Sequence, residues 1–312
     1  MSIENKNYKD TVFRMLFNNK AHLLELYNAI NGTNYTNPEA LTITTLNGET
    51  FLNMKNDVSF VFNFELNLYE HQSTPCPNIP LRDLYYLSST LIDIIPREKT
   101  YSPSPVKIPA PRFFMFYNGA ADMKDREVYR LSDLFEKPVD NTSIELEVTT
   151  LNVNKGHNPQ LMKACETLKG YSIFVAKVRQ YKQEAIDEYN SSHTTPLNLL
   201  VDSSSVMKEL IANVITKAID ECIQEDILKD FFSEYRKEII EVGVHEYSYE
   251  RHMQIVQDES YSNGVTDTTD LFSWLFDQGR GADVQKASKD STYLTKLFEE
   301  FNEWKKDQVH IS

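Results

Sequence analysis

Apolar residues recur at near-helical spacing over the first part of the chain. Over residues 10–31 they fall three and four positions apart, which predicts one amphipathic helix. Asp10 or Thr11 can cap its start, and Gly32 can end it because glycine readily adopts the left-handed conformation. The predicted inward positions are Val12, Phe13, Leu16, Phe17, Leu23, Leu24, Tyr27 and Ile30.

Two segments rich in β-branched and aromatic residues come next, and both predict strands. They are residues 58–62 (VSFVF) and 66–69 (LNLY). If Asn63-Phe64 forms the turn, cross-strand partners sum to 127, and Asp57 then faces Glu70. Asn-Phe is not a favoured two-residue turn, and a slip of one residue would separate the two acids.

The remaining part of residues 1–190 alternates between helical and extended patterns. The predicted elements are a strand or hairpin over 41–46 and 50–53, a helix over 80–95, strands over 112–117 and 144–149, and helices over 158–170 and 172–189. In the helix over 80–95, the predicted inward residues are Leu81, Leu84, Tyr85, Leu87, Ser88 and Leu91. Proline-rich runs at 73–80 and 101–111 predict irregular structure, and Asn118-Gly119 predicts a turn. This order predicts an α/β or α+β layout with a central mixed sheet flanked by helices, and we expect the α/β class.

The C-terminal part reads as helical. A linker is predicted at 191–196, followed by a long helix with a wide apolar stripe over 207–232. Core packing is the simpler interpretation of the stripe, and a homodimer interface is the alternative. Residues 261–312 are polar, with an apolar cluster at 271–276 and a helix near 292–305. The predicted domains are therefore 1–190, a helical extension over 197–260 and a polar, partly helical tail over 261–312.

Composition narrows the class of protein. Of 312 residues, 41% are hydrophobic and 12% aromatic, which is typical of a globular chain. No stretch is apolar enough for a membrane span, and the polar start lacks the apolar core of a signal peptide. The three cysteines are far apart, which predicts neither a zinc site nor disulfides, and a reducing cytoplasm is expected. A net charge of −14 disfavours broad attraction to nucleic acid but leaves room for a local basic groove.

The candidate chemistry lies at the end of the predicted hairpin. Glu70 and Gln72 are two apart in a strand and share one face, and Asp57 is opposite Glu70. Facing residues have Cβ atoms about 4.5–5.5 Å apart, so two carboxylates there repel unless a cation or a proton intervenes. Mg²⁺, which is held by one or two carboxylates and several waters, fits such a pair. The alternative is that both acids are simply solvated at strand ends.

Three runs around these residues resemble a known family. They are KNDVSF (55–60), YEHQSTPCPNIPLRDLYYL (69–87) and IPAPRFFMFYNG (108–119). Together with DTVFRMLFNNKAHLLELYNAI (10–30), they resemble the Rpn family of recombination-promoting nucleases, which are transposase-like members of the PD-(D/E)XK superfamily. The similarity covers roughly residues 8–255, and the combination of EHQS with PLR is its most specific part.

The resemblance implies a restriction-endonuclease-like fold and a set of roles. Asp57 and Glu70 would bind Mg²⁺, for which Mn²⁺ would substitute, and the backbone carbonyl of His71 would be a third ligand. The His71 side chain points to the opposite face of the strand, where packing or hydrogen bonding is the expected role. Gln72 stands where the superfamily usually has lysine, as is typical of Rpn proteins. A glutamine is neutral and orients water more than it stabilises charge.

Two further residues receive roles from the same resemblance. Glu25 on the first helix would contact metal-bound water, and its alternative is a solvated helix acid. Arg82 would meet the phosphate of double-stranded DNA, and its alternative is a surface pair with Asp83 or Asp93.

The predicted function is Mg²⁺-dependent cleavage of DNA, linked to recombination or mobile elements, with Glu70 or Glu25 accepting the proton. The alternative is a weakly active or inactive DNA-binding or interaction module with the same fold. A transposase proper would need an acid triad that the sequence does not display.

Overall fold

The structure is a computed structural model that describes residues 8–45, 57–193, 204–287 and 291–309. Its helices are α1 (Tyr8–Phe17), α2 (Lys20–Asn31), α3 (Ile79–Ile94), α4 (Pro159–Ala164), α5 (Glu166–Ser192), α6 (Ser204–Gln224), α7 (Lys229–Asp277), α8 (Gly281–Ala287) and α9 (Ser291–Val309). Its strands are β1 (Thr42–Ile43), β2 (Val58–Phe62), β3 (Glu65–Gln72), β4 (Ala110–Tyr117), β5 (Arg126–Arg130) and β6 (Glu147–Asn152). The chain divides into two units, Met1–Tyr247 and Ser248–Ser312.

The six strands form one mixed sheet in the order β1-β2-β3-β4-β6-β5. The central strands β3, β4 and β6 are parallel, and β1, β2 and β5 run antiparallel to their neighbours. The prediction of an α/β fold with a mixed sheet is therefore confirmed. Because the three parallel strands end at the same edge, residues that follow them are brought together there.

The β2–β3 hairpin has the predicted register. Phe62 pairs with Glu65 and Val58 with Tyr69, so the positions sum to 127 and Asp57 falls opposite Glu70. Asn63 and Phe64 have φ angles of 48° and 63°. Positive φ at both positions is the mark of a type I′ turn, whose twist suits a two-residue hairpin. The strand β3 also extends beyond the predicted 66–69, so Glu70 and Gln72 belong to it.

The helix predicted over 10–31 is two helices. The side chain of Asn19 accepts hydrogen bonds from the backbone N–H groups of Ala21 (2.9 Å) and His22 (3.3 Å), which caps α2. This competition from an asparagine side chain interrupts a pattern that is otherwise helical throughout. Gly32 ends α2 with φ of 65°, as predicted.

The inward face of α3 differs from the prediction in part, since Leu84, Leu87 and Leu91 do pack against the core on this side of the sheet. Leu81 and Tyr85 are 38% and 46% exposed, whereas Asp83 is fully buried. The buried face consists of Ile79, Pro80, Asp83, Tyr86 and Thr90. Hydrophobicity alone placed the apolar residues inward, but the helix is rotated so that an acid faces the sheet.

Several boundaries also differ. The strand predicted over 144–149 begins three residues later, and β5 was not predicted. The break between α4 and α5 is at Cys165, and the stripe over 207–232 spans two helices, α6 and the start of α7. The turn between them contains Asp226 and Leu228, both with positive φ. The segment 50–53 and part of the predicted linker, residues 194–196, lie outside the described residues.

Two cores cover the faces of the sheet. One joins α1, α2, α5 and α6 to the face that carries Phe60, Tyr69 and Phe116. The other joins α3 to the face that carries Leu68 and Met115. The stripe of α6 belongs to the first core, as the core-packing interpretation predicted. The unit Ser248–Ser312 has a separate small core, built from residues of α7, α8 and α9.

No helix in the described ranges is long and apolar enough to cross a membrane.

Candidate functional site

Backbone N–H groups hold the carboxylates of Asp57 and Glu70 close to each other. The backbone N–H of Asp57 donates to Glu70 Oε1 at 3.3 Å, and the backbone N–H of His71 donates to Asp57 Oδ2 at 2.7 Å. Glu70 is 1% exposed, and Asp57 is half-buried. The hairpin register thus brings the two predicted acids together at the end of β3.

Both acids resist ionisation. Burial, followed by the negative charge of Asp10, raises the pKa of Asp57 to about 6. Burial is also the main reason why the pKa of Glu70 lies well above its ordinary value, and the charges of Asp57 and Asp83 add to the effect. Neighbouring buried carboxylates favour either a shared proton or a nearby cation. A cation bound between the two carboxylates would therefore relieve their mutual repulsion.

Arg82 supplies one positive charge. Its Nη2 lies 3.3 Å from Glu70 Oε2 and 3.1 Å from the hydroxyl of Tyr86. Arg82 lowers the pKa of Glu70 and is itself 39% exposed in its side chain. The suggested surface pairs with Asp83 or Asp93 are wrong, because its ion pair is with the buried acid of β3.

Asp83 is an unexpected third acid on this face of the sheet. It is fully buried, and neither of its carboxyl oxygens has a hydrogen-bond partner. Burial raises its pKa to about 8, while Arg82 acts in the opposite direction. The raised pKa favours the protonated, neutral form of this carboxyl group, which faces the sheet.

The His71 side chain lies on the opposite face, as predicted. Its Nε2 is 2.8 Å from the hydroxyl of Tyr171, and its Nδ1 is 2.5 Å from Asp10 Oδ1. The ring also packs against Phe13, with ring centroids 5.1 Å apart. This chain of contacts fixes α1 and α5 against β3, which is a structural role.

The backbone groups of His71, unlike its side chain, are directed towards Asp57. Within a strand, the N–H and C=O of one residue are directed to the same edge, and the N–H of His71 is directed to Asp57. The carbonyl is therefore directed to the side of the strand on which Asp57 lies. The neighbouring carbonyl of Gln72 is directed to the other edge, where it accepts from the backbone N–H of Asn118 at 2.9 Å.

Glu25 is engaged elsewhere. Its Oε1 accepts from the backbone N–H of Glu166 at 2.7 Å, and its Oε2 accepts from the Thr167 hydroxyl at 2.6 Å. These contacts cap the start of α5, where a negative charge is favourable. The helix acid whose charge acts on Asp57 is Asp10 on α1.

Gln72 is half-buried on the same face as Glu70. Just beyond it, Lys9 Nζ lies 3.4 Å from the hydroxyl of Ser73. A lysine from α1 therefore reaches the end of the strand that carries the neutral glutamine.

Sequence reasoning missed Asp10, Asp83 and Lys9 as members of this group. The first was considered only as a helix cap, and the second only as a surface partner of Arg82. The available signal for Asp83 was the set of apolar residues three and four positions away on the same helix, Ile79, Pro80, Tyr86 and Leu87. No local pattern marks Lys9, because its proximity to β3 arises from the packing of α1.

Among the described residues, no three His, Cys, Asp or Glu side chains are arranged as a set of metal ligands. Two carboxylates and a backbone carbonyl are what this arrangement offers. Comparisons of the chain with family models, with curated proteins and with solved structures give no match.

Proposed function

We propose that this protein is a metal-dependent deoxyribonuclease that hydrolyses phosphodiester bonds in double-stranded DNA. The observation that carries the proposal is the pairing of Asp57 with Glu70 across the β2–β3 hairpin. It agrees with the resemblance to the Rpn nucleases in the segments on both sides of the hairpin. A link to recombination or mobile elements and a cytoplasmic location follow from that resemblance and remain part of the proposal.

The donor set fits Mg²⁺. Asp57 Oδ2 is held by the His71 N–H, which leaves Oδ1 without a recorded bond in the described contacts. Among the described residues, the hydrogen bonds of the Glu70 carboxylate are long, at 3.3 Å each. The His71 carbonyl is directed to the same side of the strand as Asp57. Mg²⁺ commonly takes one or two carboxylates and fills its remaining positions with water and substrate phosphate. The ion would lower the pKa of bound water and neutralise charge on the phosphate.

The protein groups would each have a limited task. Asp57 and Glu70 would hold the ion, and Glu70, once ionised, would accept a proton as a general base. Gln72 would orient water through hydrogen bonds. Arg82 would contact the scissile phosphate once it releases Glu70, as a guanidinium suits phosphate oxygens. Glu25 has no role in this scheme, because its carboxylate caps α5.

A second function is favoured by one specific contact. Arg82 pairs with Glu70, which is 1% exposed, so an internal cation already occupies one of the two carboxylates. A chain that keeps this pair closed would be a DNA-binding module of nuclease ancestry with little cleavage. The two functions differ in whether Glu70 becomes available to a divalent ion.

The test is nicking of supercoiled plasmid by the full chain with and without Mg²⁺ or Mn²⁺. Asp57→Asn and Glu70→Gln should each reduce the metal-dependent rate at least 100-fold, whereas Asp93→Asn on the exposed face of α3 should not. Variants that cut like the parent would disprove the site. A parent that binds divalent ions and DNA without nicking would favour the binding module.

A further inference from the structure

Two adjoining clefts lie at the carboxyl ends of β4 and β6. The first has a volume of about 470 Å³ and contains Arg179 and Asn154 in its lining. The second has a volume of about 380 Å³ and contains Lys163 and Ser172. Lys155 and His157 line both clefts, and we call the two clefts together the depression.

The depression is basic although the chain has a net charge of −14. Its lining includes four lysine or arginine side chains and two carboxylates. The four cations are Lys155, Lys163, Lys169 and Arg179, and the two acids are Asp122 and Glu166. Only Lys169 has a carboxylate partner within the described part of the chain, Glu166 at 2.9 Å. The other three make no ion pair in that part of the chain, and His157, which lines both clefts, pairs with Asp125 at 2.7 Å.

Arg179 is held in place by neutral groups. Its Nη1 donates to Asn154 Oδ1 at 2.6 Å, and its Nη2 donates to Asn118 Oδ1 at 2.6 Å. Asn154 is itself fixed by hydrogen bonds to the carbonyl of Gly119 (3.1 Å) and to Asn152 Oδ1 (2.9 Å). This network orients the guanidinium while it preserves its full positive charge. A preorganised arginine of this kind is well suited to a phosphate group.

Two buried polar groups nearby lack partners. The amide nitrogen of Asn118, a residue that is 1% exposed, donates to no recorded acceptor in the described structure. The hydroxyl of Ser172, which is 4% exposed, is also without a partner, and Ser172 lines the second cleft. Buried polar groups are normally satisfied, so these two donors mark an unsatisfied polar environment beside the clefts.

The first cleft begins at the end of β3, the strand that carries Glu70 and Gln72. The backbone N–H of Asn118 bonds to the carbonyl of Gln72, and Gly119 packs so closely on Ser73 that a Cβ there would collide with its carbonyl oxygen. From β3 to β6 is two strand spacings, or about 10 Å. That distance corresponds to roughly three base steps of about 3.4 Å each along one DNA strand.

We propose that this depression binds the phosphate backbone of double-stranded DNA and guides the strand towards Asp57 and Glu70. The proposal rests on the DNA substrate of the proposed function. Arg179 and Lys155 contact the phosphates nearest the candidate site, and Lys163 contacts one further along. The interaction is with phosphate, and it carries no base specificity.

The experiment measures binding of a fluorescein-labelled 30-base-pair duplex to the full chain by anisotropy, in EDTA and between 50 and 200 mM salt. Lys155 and Lys163 are both exposed, so Lys155→Glu/Lys163→Glu should fold normally. The matched control is Lys208→Glu/Lys237→Glu, which changes two exposed lysines outside the clefts and alters net charge equally. Thermal unfolding of all three proteins verifies their folding.

The cleft variant should bind at least 10-fold more weakly than the control at 100 mM salt. Its slope of log K against log salt should be smaller by about 2, because each lost phosphate contact removes about 0.9. Equal weakening in both variants would overturn the proposal, and so would a parent that binds no duplex. Stronger competition by duplex RNA than by duplex DNA would overturn the choice of ligand.

The outcomes separate this proposal from the nuclease. If the parent binds duplex through Lys155 and Lys163 but never nicks plasmid, the DNA-binding role of the clefts is supported and the proposed nuclease activity is disproved. If the cleft variant nicks limiting plasmid as fast as the control, the DNA-binding role of the clefts is disproved and the proposed nuclease activity is supported.

Discussion

The Nη2 atom of Arg82 lies 3.3 Å from Oε2 of Glu70, so a half-exposed cation on α3 covers a buried acid on β3. The contact is long for a charge-assisted hydrogen bond, which is usually 2.7–2.9 Å, so it is readily broken. Arg82 is therefore the group that decides whether Glu70 is accessible to a divalent ion.

Replacing Arg82 by glutamine should strengthen Mn²⁺ binding at pH 8 several-fold. The substitution removes both the positive charge that repels the ion and the hydrogen bond that competes for the carboxylate. Isothermal titration calorimetry on the full chain measures the effect. Arg97→Gln, which changes an exposed arginine just after α3, should leave the affinity unchanged. Weaker Mn²⁺ binding in the Arg82 variant would argue that Arg82 does not cover the site.

Asp83→Asn should stabilise the protein in a pH-dependent manner. Burial raises the pKa of Asp83 from 3.8 to about 8, so the folded state keeps a proton that the unfolded state has lost. The parent accordingly loses stability as pH rises from about 4 to about 8, by at most about 1.4 kcal/mol per pH unit, and the loss stops above pH 8. The advantage of the variant should grow across this window and then level off.

Urea unfolding at pH 5, 6, 7, 8 and 9 provides the measurement. Asp93→Asn on the same helix is the control, because that side chain is exposed. A difference between parent and Asp83→Asn that is independent of pH would show that Asp83 ionises normally in the folded protein.

Phe64→Gly should stabilise the hairpin by about 1 kcal/mol, since a non-glycine residue in the left-handed region costs about 1–2 kcal/mol. Phe64 has φ of 63° and is 88% exposed, so its side chain contributes little to the core. Asn-Gly is also the favoured sequence of a type I′ turn. Phe64→Ala is the control, because it removes the ring but keeps the Cβ. Equal stability of the two variants in urea unfolding would exclude backbone strain as the cause.

Tyr171→Phe should destabilise the protein by about 1–3 kcal/mol, because it leaves a buried ring nitrogen of His71 without a partner. The hydroxyl of Tyr171 lies 2.8 Å from that nitrogen, and both side chains are buried. The free energy of unfolding in urea measures the loss. Tyr85→Phe removes a hydroxyl from a half-exposed tyrosine on α3 and should change stability by less than about 0.5 kcal/mol. Comparable losses would mean that the His71 contact contributes nothing specific.

The chain itself determined the parts of the fold that depend on local pattern. The β-branched and aromatic residues of 58–62 and 66–69 predicted the two strands. A two-residue turn at Asn63-Phe64 then gives the β2–β3 register, which places Asp57 opposite Glu70. Helical spacing located the segments around α1, α2, α3 and α5, because an apolar stripe needs only its own period to be recognised. Helical spacing did not reveal the break at Asn19, whose side chain caps the free backbone N–H groups at the start of α2.

Tertiary structure decided which side chains share an environment. The rotation of α3 places Asp83 inward and brings Arg82 into an ion pair with Glu70. The packing of α2 on α5 engages the carboxylate of Glu25 in a hydrogen bond at the start of α5. The basic depression joins residues from the ends of β4 and β6 with α5, which are up to 60 positions apart in the chain. Periodicity reports on neighbours three or four residues away, whereas pKa shifts and ion pairs depend on distances in space that only the packed chain defines.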